Sequence, residues 1–340
     1  MSNSWNSPVC RLIPGGNSVD SKLWFTKKTM SNSIISQSSK LINKLLSRNP
    51  RNEEVLEPPV ETDPQKIYQD LDSQFVPRDQ EYIKRTKNLR LLPLEPFRRG
   101  GKYSYAEWSH VVGIFQTIMY MHLENKQNNR VLDIGCGTGI LGIAAEPFLG
   151  ESGHYVGIDV LKEDIEFCTE HFPKETYSFQ HLDVHNTVYT PEQASKHLPW
   201  DQPDNSFDLV TALSVWTHMT EETAFYYFKE VARVLKPGGK ALITFFHLDD
   251  HYEKSLSLRK EGEKGRYHMT PQSRWVFKNS AYESKYFFCV GKVPENAIGI
   301  NVEGMEKMQN EAGLKRIAYY PGNWKEIPGA YFQDVMVFQK

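Results

Sequence analysis

Nine residues constrain this chain most: Val131-Leu132-Asp133-Ile134-Gly135-Cys136-Gly137-Thr138-Gly139. A short apolar run leads through an acid to three alternating glycines, and an apolar stretch with helical spacing follows. That pattern reads as a buried strand turning sharply into a helix. The glycine spacing separates two kinds of ligand. A dinucleotide loop needs GxGxxG, with its last glycine where the helix packs on the strand. Here that position is Ile140. The loop lets a ligand approach the backbone closely, but it does not match a pyrophosphate cradle.

Strand and helix patterns alternate from this loop onward. Strands are predicted at 130–134, 154–159, 178–183, 207–213 and 240–246, with helices at 138–148 and 162–172. A further helix is capped by Thr220 and runs to the Lys236-Pro237-Gly238-Gly239 break. A last helix, 301–312, stops at Gly313, and strands 314–320 and 335–339 close the chain as an antiparallel hairpin. Such alternation implies an α/β, Rossmann-like, doubly wound sheet. Ligands of such sheets sit beyond the carboxyl ends of the strands. Asp133, Asp159 and Asp183 are each expected at such an end.

The span from Asn129 to Phe246 resembles class I S-adenosylmethionine (SAM) methyltransferases. The matching pieces are Val131 to Gly139, Val156-Gly157-Ile158-Asp159, Leu182-Asp183-Val184, Asp204 to Val210 and Arg233 to Gly239. The resemblance implies a seven-stranded sheet with an antiparallel last strand, SAM as cofactor, and S-adenosylhomocysteine as released product. It puts Asp133 near the methionine ammonium group, Asp159 on the ribose hydroxyls, and Asp183 on the adenine. Gly135, Gly137 and Gly139 clear the path, and Val184 and Ser214 join the cofactor side. Pro294 to Ile298, Tyr320 to Trp324 and Tyr331 to Val335 look like bacterial methyltransferases of glycan and secondary-metabolite pathways.

An in-line methyl transfer to a hydroxyl needs alignment and a base. His218, just after the fourth strand, is the candidate base. His247 and Asp249, after the fifth, are candidates to orient it. The expected acceptor is a small molecule or glycan, methylated on oxygen. Alternatives are methylation on nitrogen and a non-catalytic SAM-binding scaffold. No Asp/Asn-Pro-Pro-aromatic tetrapeptide follows the fourth strand, where Ser214-Val215-Trp216-Thr217 stands instead. With a net charge of −2, no nucleic-acid partner is expected. No metal is expected either, since the fourth strand ends without a partner acid. The segment 249–300 is aromatic and basic, and reads as an acceptor-side insertion.

Residues 1–60 read differently: Ser- and Asn-rich, basic, with Asp20 the only acid before Glu53. They suggest a disordered leader, an organelle-targeting segment, or a membrane-surface helix at 34–48. Met30 is a possible alternative start. Residues 61–123 read as an N-terminal helical cap, and 124–340 as the main domain. Four scattered cysteines without a CxxC fit a reducing, cytoplasmic setting.

Overall fold

The computed structural model describes residues 87–100, 102–192 and 197–340, together with Lys66, Gln69 and Ser73. The leader, the 34–48 helix and Met30 all lie outside the described residues.

Two short 3-10 turns, Lys87–Leu91 and Glu95–Phe97, lead into helix α1, Tyr105–His122. Ser104 starts α1 with a capping box, accepting from the Glu107 N–H while the Glu107 carboxylate accepts from the Ser104 N–H. The chain then alternates: β1 Arg130–Ile134, α2 Ile140–Leu149, β2 His154–Asp159, α3 Lys162–His171, β3 Tyr177–His181, β4 Phe207–Ala212, α4 Glu221–Val234, β5 Leu235–Phe245. An insertion follows, with β6 His247–Leu248, α5 Asp250–Leu256, β7 Asn279–Ser280, β8 Phe287–Cys289 and β9 Ile298–Asn301. Helix α6 Val302–Ala312, β10 Lys315–Tyr320 and β11 Asp334–Gln339 complete the fold.

The main sheet has seven strands in the order β10-β11-β5-β4-β1-β2-β3. All its pairings are parallel except those of β11, which runs antiparallel to both β5 and β10. This is the expected doubly wound sheet with its antiparallel last strand. The insertion builds a second sheet, β6-β9-β8-β7, which the sequence pattern did not announce.

Adjacent strand residues point to opposite faces, and here both faces are buried. Leu132, Val210 and Ile243 pack with Phe228 and Val231 of α4 on one side. Val131, Leu209 and Leu242 pack with Phe115 of α1 and Ile143 of α2 on the other. That is why the strands read as continuous apolar runs rather than alternating ones. A third cluster, with Phe246, Tyr252, Trp275, Phe277 and Trp324, forms the base of the insertion.

The loop 321–333 between β10 and β11 is pinned from beneath. Lys325 is fully buried, and its ammonium lies 2.9 Å from both Asp249 and Asp334. It also donates to the Tyr319 hydroxyl at 2.6 Å, while the Trp324 indole N–H donates to Asp334 at 3.0 Å. Removing one member of such a buried set leaves charge without a partner. Lys325→Ala is therefore expected to lower unfolding free energy by roughly 3–5 kcal/mol. Urea denaturation checks this, and a loss below about 1 kcal/mol would refute the pinning role.

Candidate active site

A cavity of about 1110 Å³ opens at the carboxyl ends of the parallel strands. One half is walled by the glycine loop, by Ile158 to Leu161 after β2, and by Leu182, Val184 and Asn186 after β3. The other half is walled by α1, by His268 to Thr270 with Arg274 and Trp275 of the insertion, and by Ala330 to Gln333.

Asp159 organises the loop half. One carboxylate oxygen accepts from the Gly137 N–H at 2.7 Å and the other from the Leu161 N–H at 2.9 Å. The turn is closed by the Gly135 and Cys136 N–H groups, both donating to the Ile158 carbonyl. Gly135 has φ +66°, and a Cβ there would lie 2.5 Å from the Val215 side chain. Gly139 caps α2 at φ +90°, and a Cβ there would lie 2.4 Å from the Phe172 ring. Only glycine fits either place. Burial raises the pKa of Asp159 even against its backbone donors.

Asp133, at the end of β1, is also buried. It accepts from the Tyr155 hydroxyl at 2.5 Å and from the Thr211 hydroxyl at 2.7 Å. Burial nevertheless pushes its pKa up to about 7.

After β4 the chain turns through Ser214 at φ +64°. The Ser214 N–H donates to the Thr244 hydroxyl, and its own hydroxyl accepts from Gln333 at 2.9 Å. A 3-10 turn, Trp216–His218, then places His218 on the cavity wall. Its Nδ1 lies 2.6 Å from the Glu295 carbonyl. A carbonyl only accepts, so Nδ1 carries the proton and donates, and Nε2 keeps its lone pair. Burial lowers the His218 pKa and favours the neutral ring.

Residues 125–284 match the family model described as a methyltransferase domain. This is a class I SAM-dependent methyltransferase domain. An uncharacterized methyltransferase of Schizosaccharomyces pombe is 27% identical over 49% of this chain and 60% of its own length. The uncharacterized methyltransferase YcgJ of Bacillus subtilis is 29% identical over 46% of this chain and 54% of its own. A ubiquinone/menaquinone biosynthesis C-methyltransferase of Vibrio cholerae is 25% identical over 57% and 67%, respectively. The chain thus spans little more than half the length of the first two relatives.

In this methyltransferase domain Asp133, Gly135, Gly137, Asp159, Val184, Ser214 and His218 come together on the cavity wall. Four other expected site residues do not. Gly139 lies behind the wall and serves the turn into α2. Asp183 is exposed and off the wall, flanked by the lining residues Leu182 and Val184. The reason is register: His181 pairs with Asp159 at the last rung, so β3 ends two residues before Asp183. His247 and Asp249 do not line the cavity and are not brought to orient His218. The chain leaves the main sheet after Phe245, and His247 pairs instead with Ile300. His247 is buried, its Nδ1 finds no partner among the described residues, and burial lowers its pKa to about 4. Asp249 caps α5 and holds Lys325. Among the described residues no group of three or more His, Cys, Asp or Glu is placed to hold a metal.

Several site residues were missed from sequence. Thr211 pairs directly with Asp133 on the neighbouring strand, which the strand pairing would have shown, whereas Tyr155 pairs with Val131 and reaches the Asp133 carboxylate only through its long side chain. Asn186 donates to the His218 carbonyl, and Glu295 takes its ring N–H. Arg99 reaches the glycine loop from before α1 and pairs with buried Asp164 at 2.7 Å. Its partner lies 65 residues on, beyond the reach of local pattern.

The raised pKa of Asp133 has a stability consequence. The native carboxyl keeps a proton that the unfolded chain, with a value of about 3.9, has already lost. Its favourable contribution is complete below that value and disappears as pH rises through about 7. In cofactor-free protein, Asp133→Asn should therefore gain stability relative to the parent between pH 5 and pH 8. Denaturation curves at both pH values test this; a constant difference would mean that the carboxyl does not titrate there.

Proposed function

We propose that this chain transfers the methyl group of SAM to a hydroxyl of a small molecule or sugar, with His218 as general base. The observation that carries the reading is the fixed ring of His218. Its Nδ1–H is held by the Glu295 carbonyl, which leaves Nε2 as an open acceptor on the cavity wall.

The loop half suits the cofactor. A Cβ on Gly137 would meet nothing closer than 3.8 Å, so its absence widens the cavity rather than relieving a packed contact. The Asp159 oxygens each accept one backbone N–H and retain lone pairs for a pair of ribose hydroxyls. Asp133 can answer an ammonium group as a carboxylate. The cofactor, when bound, supplies an electrophilic methyl group on a sulfonium, and S-adenosylhomocysteine is the product. The work left to the chain is to exclude water, align the acceptor oxygen for in-line attack, and take its proton at His218 Nε2. The loop 321–333, whose sequence carries the glycan and secondary-metabolite likeness, places Asn323, Tyr331 and Phe332 on the acceptor half.

Radiolabelled SAM with host extract, fractionated by compound class, tests the acceptor. Label in small molecules or carbohydrate supports the reading; label in protein or nucleic acid refutes that acceptor class. With the acceptor in hand, His218→Ala is expected to reduce kcat by about 10²–10⁴-fold and to leave S-adenosylhomocysteine affinity within about twofold. Because burial lowers the His218 pKa, parent activity should rise with pH below the ordinary histidine value near 6.5 and then level off. An unchanged kcat in the variant would favour methylation on nitrogen, or on carbon as in the name of the Vibrio relative. Binding of S-adenosylhomocysteine without any transfer would favour a scaffold.

A further inference from the structure

The acceptor half of the cavity has an unbalanced charge. Arg274 stands on its wall with no carboxylate partner among the described residues; its guanidinium lies 4.9 Å over the Trp275 ring. Among the described residues the neighbouring cations Lys264 and Arg266 make no ion pair either, whereas Lys260 is taken by Glu263 at 3.3 Å. The carboxylates nearby are already engaged. Glu326 is buried and accepts from the Arg266 N–H and from His268 Nε2, both at 2.9 Å. On the wall itself, Glu107 is spent in the capping box, and Asp164 on Arg99.

The segment that carries Arg274 is rigidly built. The Trp275 indole N–H donates to the Thr270 hydroxyl at 2.6 Å, and that hydroxyl bonds His268 Nδ1 at 2.9 Å. Trp275 is stacked on Phe246 with ring centres 5.0 Å apart, and Phe332 meets Trp275 edge-on at 5.1 Å. All three rings line the cavity. The wall therefore offers aromatic ring surface from Trp275, Phe246 and Phe332, with the Arg274 guanidinium lying over one of these rings. Such surface holds flat, mainly apolar bodies, and a free guanidinium is a fork for carboxylate or phosphate.

We propose that the acceptor is a flat, largely apolar molecule bearing an anionic group, and that Arg274 is the residue that selects for that group. The inference rests on the methyltransferase reading and narrows its acceptor. Arg274 acts in binding, not in proton transfer, so its removal should act on acceptor affinity and KM with little effect on kcat.

The experiment is calorimetry on the full chain saturated with S-adenosylhomocysteine. The probes are a hydroxynaphthoate, the corresponding naphthyl phosphate, and the neutral hydroxynaphthamide. At least one anionic probe is expected to bind about tenfold tighter than the amide, the size of one charge-assisted contact. Arg274→Gln should erase that preference while S-adenosylhomocysteine binds as before, and Arg274→Lys should restore part of it. The carboxylate and phosphate arms distinguish the two forms of anion. Equal binding of amide and anions, no binding of any probe, or a preference that survives Arg274→Gln would each overturn the proposal. Failure of S-adenosylhomocysteine itself to bind would instead bring down the methyltransferase reading.

Discussion

Both faces of the main sheet are sealed by helices, and that constraint governs everything polar in this protein. A side chain in a central strand is buried, so the strand interiors cannot carry unpaired hydrogen-bonding groups at low cost. Polar chemistry is left to the rim where the parallel strands end. Asp133, Asp159, Ser214 and His218 all stand there, at or just beyond the ends of β1, β2 and β4. Even at the rim, burial is deep enough that Asp133 needs two hydroxyl donors. The cavity is the place where the sheet's polar ends and its absent side chains coincide.

The two halves of the cavity are built by different means. The cofactor half is mostly backbone: a glycine turn whose N–H groups are held by Asp159 and by the Ile158 carbonyl. The acceptor half is side chain, resting on a floor of aromatic rings and on the buried Lys325 set. A backbone-built half depends on positions that only glycine can occupy. The other half depends on the packing of particular aromatic side chains.

That difference also explains what the sequence made legible. The glycine loop, Asp159 and His218 sit within a few residues of apolar runs that declare themselves as strands, so their places follow from local pattern. The antiparallel last strand was equally readable, because β10 and β11 follow one another closely. What local pattern could not show depended on contacts across the chain. Asp183 looked like a strand end until the pairing of Asp159 with His181 closed the strand two residues earlier. His247 and Asp249 looked like site residues because they follow β5. The deciding fact was Lys325, 76 residues beyond Asp249, which claims that carboxylate for the floor. A second sheet made of strands two to four residues long left no periodic trace at all.

The strap before α1 is attached in another manner again. Arg99 holds Asp164 from a partly exposed position, and Phe97 stacks on Phe167 of α3 with ring centres 4.5 Å apart. The Thr138 hydroxyl of the glycine loop donates to the Phe97 carbonyl. These contacts are made by side chains from outside the sheet, whereas the loop beneath is continuous with β1 and α2. The cofactor half thus has one wall that belongs to the sheet and one that is joined to it through side chains. Closing that half therefore depends on contacts made from outside the sheet as well as on the cradle itself.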